Sequence, residues 1–195
     1  KALGFAQRSS LENNQAGSQH RLSSAKTECT GMPWQDCANL IGAEPNWVVW
    51  HHWPDSKIHD LGVAGEGIES ATNDATVQLN SDGFWSLVNR LATGRQLIIT
   101  SDHGYAATGL FPDSPDDQGK ALKDLFKSGR SSGAENSAGN WVPPIAMTVR
   151  SRNGNITYAV GRRKWKSQGG YPTLAHGGLS VLEVAVPFIV ISQVG

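Results

Sequence analysis

Apolar residues recur at two different spacings along the chain, and these spacings predict alternating strands and helices. NWVVWHH and RQLIIT are short runs rich in β-branched and aromatic residues, which favour the pleated, packed surface of a strand. From residue 70 to residue 92 the apolar positions lie three and four residues apart, which predicts helix with an interruption at residues 80–83 and a stop at Gly94. This alternation favours an α/β fold, and we expect RQLIIT to be a buried strand.

Four other segments extend the prediction. WQDCANLIG is a short helical turn that ends at Gly42, and DDQGKALKDLFKSG, residues 116–129, is predicted to be a helix. IAMTVRSRNGNITYAVG is predicted to form a hairpin, because Asn153-Gly154 suits a tight reversal. HGGLSVLEVAVPFIVI is expected to begin as a short helix and end as a strand. We expect one domain over residues 1–195, with 1–45 a poorly assigned N-terminal segment and 46–195 the core.

Composition narrows the possible functions. The chain has 195 residues, long enough for one well-packed domain, and its 17 basic and 17 acidic residues give a formal net charge of zero. A broad electropositive surface for nucleic acid is therefore not expected. Its two cysteines, Cys29 and Cys37, lack the C-x-x-C spacing of a zinc finger or redox motif. No apolar run approaches the roughly 20 residues that cross a bilayer, so we expect a soluble, cytoplasmic protein without membrane contact.

Carboxylate and imidazole side chains follow two of the predicted strands, and a third imidazole precedes the last predicted helix and strand. Asp55 and His59 have an i, i+4 spacing, Asp102-His103 follows RQLIIT, and His176 precedes two glycines. Each motif alone is commonly an ion pair, a turn or a helix cap. Their order along an α/β chain is more informative, because ligands in such folds sit beyond the carboxyl ends of strands. Nitrogen and oxygen ligands of this kind suit zinc or manganese.

The three motifs together resemble a known family. PDSKIHDLG, ITSDHGY and AHGGLSVLEVAVPFIVI are similar to the metal-binding half of the alkaline phosphatase superfamily, and the last two resemble the PglZ domain of bacterial phage-defence proteins. The resemblance is firm from about Trp47 to the end of the chain. It implies an alkaline-phosphatase-like sandwich with a central, mostly parallel sheet, incomplete at the N-terminus. It also implies a phosphatase or phosphodiesterase with two divalent ions, zinc or manganese, and a Ser or Thr nucleophile.

The resemblance also implies roles for individual residues. Asp55, His59 and His176 match the ligands of the first metal, and Asp102 and His103 match part of the second. The superfamily completes its second site with another Asp and with the nucleophile, both N-terminal to the D-x-x-x-H motif. Neither is recognised in this sequence. KALGFAQ is similar to the segment that follows the nucleophile, so the missing groups are expected to precede this chain in a longer parent protein. The chain does contain hydroxyl residues that are weaker alternatives, namely Ser23, Ser24, Thr27 and Thr30.

The sequence allows more than one interpretation of the substrate contacts and of the partners. His51 and His52 end a predicted strand just before Asp55 and either contact substrate phosphate or only pack in the turn. Arg162 and Arg163 belong to a basic segment around Trp165 that suits a phosphate ester, a nucleotide or a nucleic acid, or is simply an exposed hairpin end. The alternative function is a non-catalytic assembly domain that contacts other proteins of a defence system. A Ser-His-Asp esterase is disfavoured because no G-x-S-x-G turn occurs.

Overall fold

The structure is a computed structural model that describes residues 25–60, 68–110, 126, 130–133, 146–151, 154–164 and 174–192. Its contacts divide the chain into two compact units. The described residues of the first unit come from Lys1–Lys57, Thr72–Asp102 and Pro187–Gly195, and those of the second from Ile58–Ala71 and His103–Val186. The prediction of one domain with a poorly assigned start stays a prediction.

The described residues form short strands and helices in mixed order along the chain. The helices are α1 (Trp34–Leu40), α2 (Asp55–Asp60), α3 (Ile68–Leu79), α4 (Asp82–Ala92) and α5 (Val181–Val184). The strands are β1 (Lys26–Thr30), β2 (Trp47–His51), β3 (Leu97–Thr100), β4 (Ala106–Ala107), β5 (Gly109–Leu110), β6 (Ser131–Gly133), β7 (Ala146–Ser151), β8 (Gly154–Ala159), β9 (Arg163–Lys164), β10 (Leu174–Ala175) and β11 (Phe188–Ile191). This mixture agrees with the predicted α/β class.

The strands form small separate sheets among the described residues. β1 pairs in parallel with β2, and β5 with β9, whereas β3–β11, β4–β10 and the three-stranded sheet β6-β8-β7 are antiparallel. A central, mostly parallel sheet is therefore not confirmed. The expectation that RQLIIT is buried was wrong for the part that forms β3. Its side chains alternate between half-buried and exposed, and Ile98 is 41% exposed, as in a strand with only one covered face.

The first unit has an apolar core between α1 and α4. Cys37, Ala38, Ile41 and Leu87 are each at most 5% exposed. α4 begins where the Ser81 hydroxyl caps it by accepting from the backbone N–H of Phe84 at 3.2 Å. It ends at Ala92, two residues before Gly94, which has a φ of +67°. The predicted helices, their interruption and the glycine stop are thus confirmed.

The second unit contains the predicted hairpin and the C-terminal helix. β7 and β8 pair from Ala146↔Ala159 to Ser151↔Gly154, and Gly154 has a φ of +109°, which glycine adopts without strain. α5 is followed in the chain by β11, as predicted. The helix predicted over residues 116–129 lies outside the described residues except for Phe126, which is 1% exposed. Within the described part of the chain, no helix is both long and apolar enough to cross a membrane.

Candidate metal centre

Two of the sequence motifs meet in the second unit because two short strands pair. β4 and β10 are antiparallel, with Ala106 opposite Ala175 and Ala107 opposite Leu174. His103 comes three residues before Ala106, and His176 directly follows Ala175. The pairing therefore brings the ends of the Asp-His-Gly and His-Gly-Gly motifs together, although they are more than 70 residues apart in the chain.

The imidazole rings of His103 and His176 are stacked. Their centroids lie 3.9 Å apart and their planes differ by 8°. The Tyr105 ring stands edge-on to both, with centroids 5.1 Å from His103 and 5.7 Å from His176. All three side chains are half-buried. Each imidazole can offer one ring nitrogen, and these two atoms lie within 4.8 Å of each other, which suits ligands of one divalent ion or of two adjacent ions.

A backbone contact of His103 agrees with a ligand role. Its Nδ1 lies 3.2 Å from the carbonyl oxygen of Gly104. In the tautomer that donates Nδ1–H to this carbonyl, Nε2 carries the lone pair that a metal ligand needs. A hydrogen bond from the second ring nitrogen is the usual way in which proteins fix the orientation of a metal-binding histidine.

A buried ion pair supports both histidine-bearing loops. Arg130 and Glu183 are wholly buried, and the guanidinium donates to both carboxylate oxygens, from Nε to Oε1 at 2.9 Å and from Nη2 to Oε2 at 2.6 Å. Burial by itself would raise the pKa of Glu183. Hydrogen bonds from Arg130 and Ser180 and the Arg130 charge outweigh burial and hold that pKa below its ordinary value. Glu183 is therefore a carboxylate at neutral pH.

Glu183 also bonds the backbone of both loops. The Gly178 N–H donates to its Oε1 at 3.0 Å, the Ser180 hydroxyl donates to its Oε2 at 2.6 Å, and the Gly104 N–H donates to its carbonyl oxygen at 2.8 Å. Gly178 has no room for a side chain, because a Cβ there would lie 2.1 Å from Arg130 Nη2. Neither Arg130 nor Glu183 was among the residues predicted from the sequence. The Ser180-x-x-Glu183 spacing of a capping box was a signal for Glu183, but nothing marked Arg130.

The other three predicted ligands are Asp55, His59 and Asp102. Asp55 is the first residue of α2, is half-buried and belongs to the first unit. His59 lies on the same helix, and its side chain is outside the described residues. Asp102 is exposed and follows β3 in the first unit. The structure brings His103 and His176 together, and the ligand roles of all five residues stay predictions.

A comparison with protein-family models identifies the family. The model of the BREX system PglZ alkaline phosphatase-like domain matches residues 6–191. The chain belongs to the PglZ family. The resemblance inferred from the motifs is thereby confirmed, and it extends over nearly the whole chain rather than from Trp47 onward. No significant match to this PglZ domain was found among curated proteins or among solved structures.

The two histidines before Asp55 are engaged within the first unit of the PglZ domain. His51 stacks on Trp34 with ring centroids 3.9 Å apart, and its Nε2 lies 2.9 Å from the Met32 carbonyl oxygen. Burial lowers the pKa of His51, although the contact with the Met32 carbonyl opposes this and the neighbouring His52 adds to it. His52 Nε2 lies 3.3 Å from Cys29 Sγ. These contacts favour packing roles, and substrate binding by either histidine stays a prediction.

The predicted arginines lie on an anchored basic loop that leads into β9 of the second unit, with Arg162 before this strand and Arg163 as its first residue. Arg130 Nη1 donates to the carbonyl oxygens of Gly161 at 2.8 Å and Arg163 at 2.6 Å, and the Gly109 N–H donates to the Arg162 carbonyl at 2.9 Å. The side chains of Arg162 and Arg163 are exposed. The backbone of this basic loop is therefore fixed while its guanidinium groups face solvent.

Two of the alternative nucleophiles can be placed in the PglZ domain. Thr30 ends β1 four residues before α1 begins, is 5% exposed, and its hydroxyl accepts from the Met32 N–H at 3.1 Å. Thr27 is half-buried within β1. Ser23 and Ser24 lie outside the described residues. The buried, hydrogen-bonded state of Thr30 does not favour a nucleophile role, so the identity of the nucleophile stays open.

Proposed function

We propose that this PglZ domain is the metal-binding part of a phosphoric ester hydrolase of a bacterial phage-defence system. The stacked pair of His103 and His176 carries this proposal, because it joins two separate family motifs at one place in the second unit. We further propose, from the sequence pattern, that Asp55 supplies a carboxylate ligand. His59 and Asp102 are proposed as further ligands on the strength of the sequence pattern alone.

The donor set fits zinc or manganese. Zinc takes imidazole nitrogen and carboxylate oxygen, and manganese accepts the same ligands with a greater share of oxygen. A catalytic ion keeps a position for water or substrate, so three or fewer protein ligands for each ion are compatible with catalysis. A divalent ion bound there supplies Lewis-acid chemistry, which polarises a phosphoryl oxygen.

The substrate is proposed to be an anionic phosphate ester, such as a nucleotide or a phosphodiester. Guanidinium groups bind phosphate oxygens through charge-assisted hydrogen bonds, and Arg162 and Arg163 present two such groups on a fixed loop. The zero net charge of the chain favours local phosphate recognition over nonspecific attraction to long nucleic acids. Tyr105, edge-on to both imidazoles, helps to hold the ligand rings in place.

Metal binding by the purified chain tests the proposal directly. After treatment with a chelator, the chain is titrated with Zn²⁺ and with Mn²⁺ in a calorimeter. We expect binding, and we expect His176→Ala to lower the affinity at least about tenfold. His51→Gln is the matched control, because His51 packs on Trp34 and is not a proposed ligand. A chain without metal affinity, or a His176→Ala variant with unchanged affinity, would overturn the proposed centre.

Catalysis is tested separately with bis-p-nitrophenyl phosphate. The metal-loaded chain and a form extended at its N-terminus are compared, because the nucleophile has not been identified. Hydrolysis that disappears in His176→Ala supports a hydrolase. Metal binding without hydrolysis by either form supports the alternative function instead.

That alternative is a non-catalytic assembly domain within a multi-protein defence system. One observation favours it, since α5 buries Glu183 while Val181, Leu182 and Val184 are 74%, 50% and 56% exposed. Exposed apolar side chains grouped on one element are common at protein contacts. Replacing Val181 and Leu182 with serine should then weaken co-purification with other proteins of the system without affecting metal affinity.

A further inference from the structure

Glu183 makes more polar contacts than a helix cap requires. Its two carboxylate oxygens accept from Arg130, Gly178 and Ser180, and its carbonyl oxygen accepts from Gly104. A capping box needs only the reciprocal bonds between Ser180 and Glu183. The additional bonds reach the backbone immediately after His103 and two residues after His176. One buried residue thus connects the two loops whose histidines stack.

Stability alone does not account for such a pair. Burying two charges is costly, and a well-packed apolar pair of similar volume is often equally or more stabilising. A fully hydrogen-bonded ion pair also fixes local geometry, because each carboxylate oxygen holds the N–H groups that donate to it in one position. At Glu183 a carboxylate oxygen fixes the Gly178 N–H, two residues after His176, and the backbone carbonyl of the same residue accepts the Gly104 N–H directly after His103.

We propose that Glu183, held by Arg130, is a positioning residue that sets the relative orientation of the His103 and His176 imidazoles for metal binding. This inference rests on the proposed function only for its metal-binding consequence. The orientation of the two rings is a property of the apoprotein and can be measured without any ion.

Arg130 extends the same connection to the basic loop. Its Nη1 donates to the carbonyls of Gly161 and Arg163, while its Nε and Nη2 bind Glu183. A guanidinium is suited to this because its donors lie in one rigid plane. The arginines proposed to bind phosphate and the histidines proposed to bind metal are therefore tied to one buried group in the second unit.

The first experiment measures the NMR signals of the histidine rings in the absence of metal. Ring ¹H–¹⁵N spectra of the apoprotein report the tautomer and surroundings of His103 and His176, assigned with His103→Gln and His176→Gln. We expect Glu183→Gln to shift the His176 signals, because an amide cannot accept all the bonds that the carboxylate accepts. The His103 signals should shift with them, because the two rings are stacked. Glu44→Gln is the matched control, since it breaks an exposed ion pair with Lys26 in the first unit.

A milder variant keeps the test decisive if Glu183→Gln fails to fold. Ser180→Ala removes one donor to Glu183 Oε2 and leaves the ion pair with Arg130 in place. We expect smaller signal changes in the same direction. Unchanged His103 and His176 signals in folded Glu183→Gln, or in Ser180→Ala where Glu183→Gln does not fold, would overturn the positioning role.

The second experiment measures Zn²⁺ affinity of the same proteins by calorimetry, at a temperature where circular dichroism shows each of them folded. Residues that orient metal ligands typically change affinity by 10- to 100-fold, so we expect about a tenfold loss or more in Glu183→Gln and none in Glu44→Gln. Equal affinity of Glu183→Gln and the wild type would contradict the proposal. If the wild type binds no Zn²⁺ or Mn²⁺, the proposed function fails, and the ring spectra alone decide the positioning role.

Discussion

The two compact units differ in where their ion pairs lie. In the first unit an apolar cluster around Cys37 and Leu87 is buried, and the ion pairs Lys26–Glu44 and Lys57–Asp74 have largely or partly exposed partners. In the second unit the ion pair Arg130–Glu183 is wholly buried, whereas the apolar side chains of α5 are exposed. The first arrangement is typical of a packed core, and the second is typical of a site whose geometry has to be fixed.

The two units therefore depend on different interactions, an apolar core in the first and a buried ion pair in the second. An apolar core tolerates exchange of one hydrophobic side chain for another of similar volume. A buried ion pair does not tolerate loss of one partner, because the other charge is then left without compensation. We therefore expect substitutions in the two units to differ both in size of effect and in the segments that loosen.

The largest effect is expected from Arg130→Met, which leaves the Glu183 carboxylate buried without its partner. Removing one member of a buried pair typically costs about 3–5 kcal/mol in the free energy of unfolding. Hydrogen exchange measured by mass spectrometry should accelerate in peptides covering residues 154–164 and 174–184. Peptides covering residues 34–41 and 84–92 should change little.

The double variant Arg130→Met, Glu183→Leu is the control for that prediction. Replacing both charges with apolar groups should restore most of the lost stability, because no uncompensated charge remains. The histidine ring signals should nevertheless stay different from those of the wild type. A double variant as unstable as Arg130→Met would indicate that shape rather than charge dominates at this position.

A somewhat smaller effect is expected from Leu87→Ala in the first unit. Leu87 is 5% exposed and packs within the core cluster, and truncation of a buried leucine costs about 2–5 kcal/mol. Exchange should accelerate in peptides covering residues 34–41 and 84–92. Equal acceleration in residues 174–184 would contradict the distinction between the units.

Acid should weaken the structure around Glu183 in the second unit. The pKa of Glu183 is held below its ordinary value, so the folded state favours the carboxylate more than the unfolded chain does. The resulting stability is present above the unfolded pKa of about 4.3 and is lost as the pH falls through the lower folded value. Exchange of residues 174–184 should therefore accelerate below about pH 4.3. In Arg130→Met this acid response should be reduced, because burial without the guanidinium raises the carboxyl pKa.

The smallest effect is expected from Asp74→Asn. Asp74 accepts hydrogen bonds from Lys57 and from Trp53 Nε1, which lower its pKa, but the Lys57 partner is half exposed. Exposed ion pairs contribute less than about 1 kcal/mol and are screened by salt. Urea denaturation at low and high salt should show a small loss that shrinks as salt rises. A loss as large as that of Leu87→Ala would mean that this pair is not a surface interaction.

Much of the local structure could be predicted from the sequence, because it depends on contacts near in the chain. The helix from Ser70 to Ala92, its break, the β7–β8 hairpin and the ending of the chain as helix then strand all follow from residue spacing and turn chemistry. The sheet arrangement could not be predicted in the same way. The antiparallel pairing of β3 with β11 joins segments about 90 residues apart, and the apolar content of RQLIIT does not reveal which faces are covered.

The candidate site could likewise be predicted only in part. His103 and His176 could be singled out because each stands in a histidine-glycine motif and the motifs occur in the order that resembles the family. Their stacking required the pairing of β4 with β10, two strands of two residues each, which carry almost no periodic signal. Arg130 could not be found at all, because a lone arginine in SGRSSG is indistinguishable from a solvated surface residue until its burial is known.

Gly178 and Arg130 are distant in the sequence but lie so close together that residue 178 has no room for a side chain. A methyl group there would occupy the space of the Arg130 guanidinium, which four carbonyl or carboxylate oxygens hold in place. Glycine at 178 and arginine at 130 should therefore covary, and a related chain with a larger residue at the first position should carry a shorter one at the second. An alignment of such chains would then reveal this spatial neighbourhood without any coordinates.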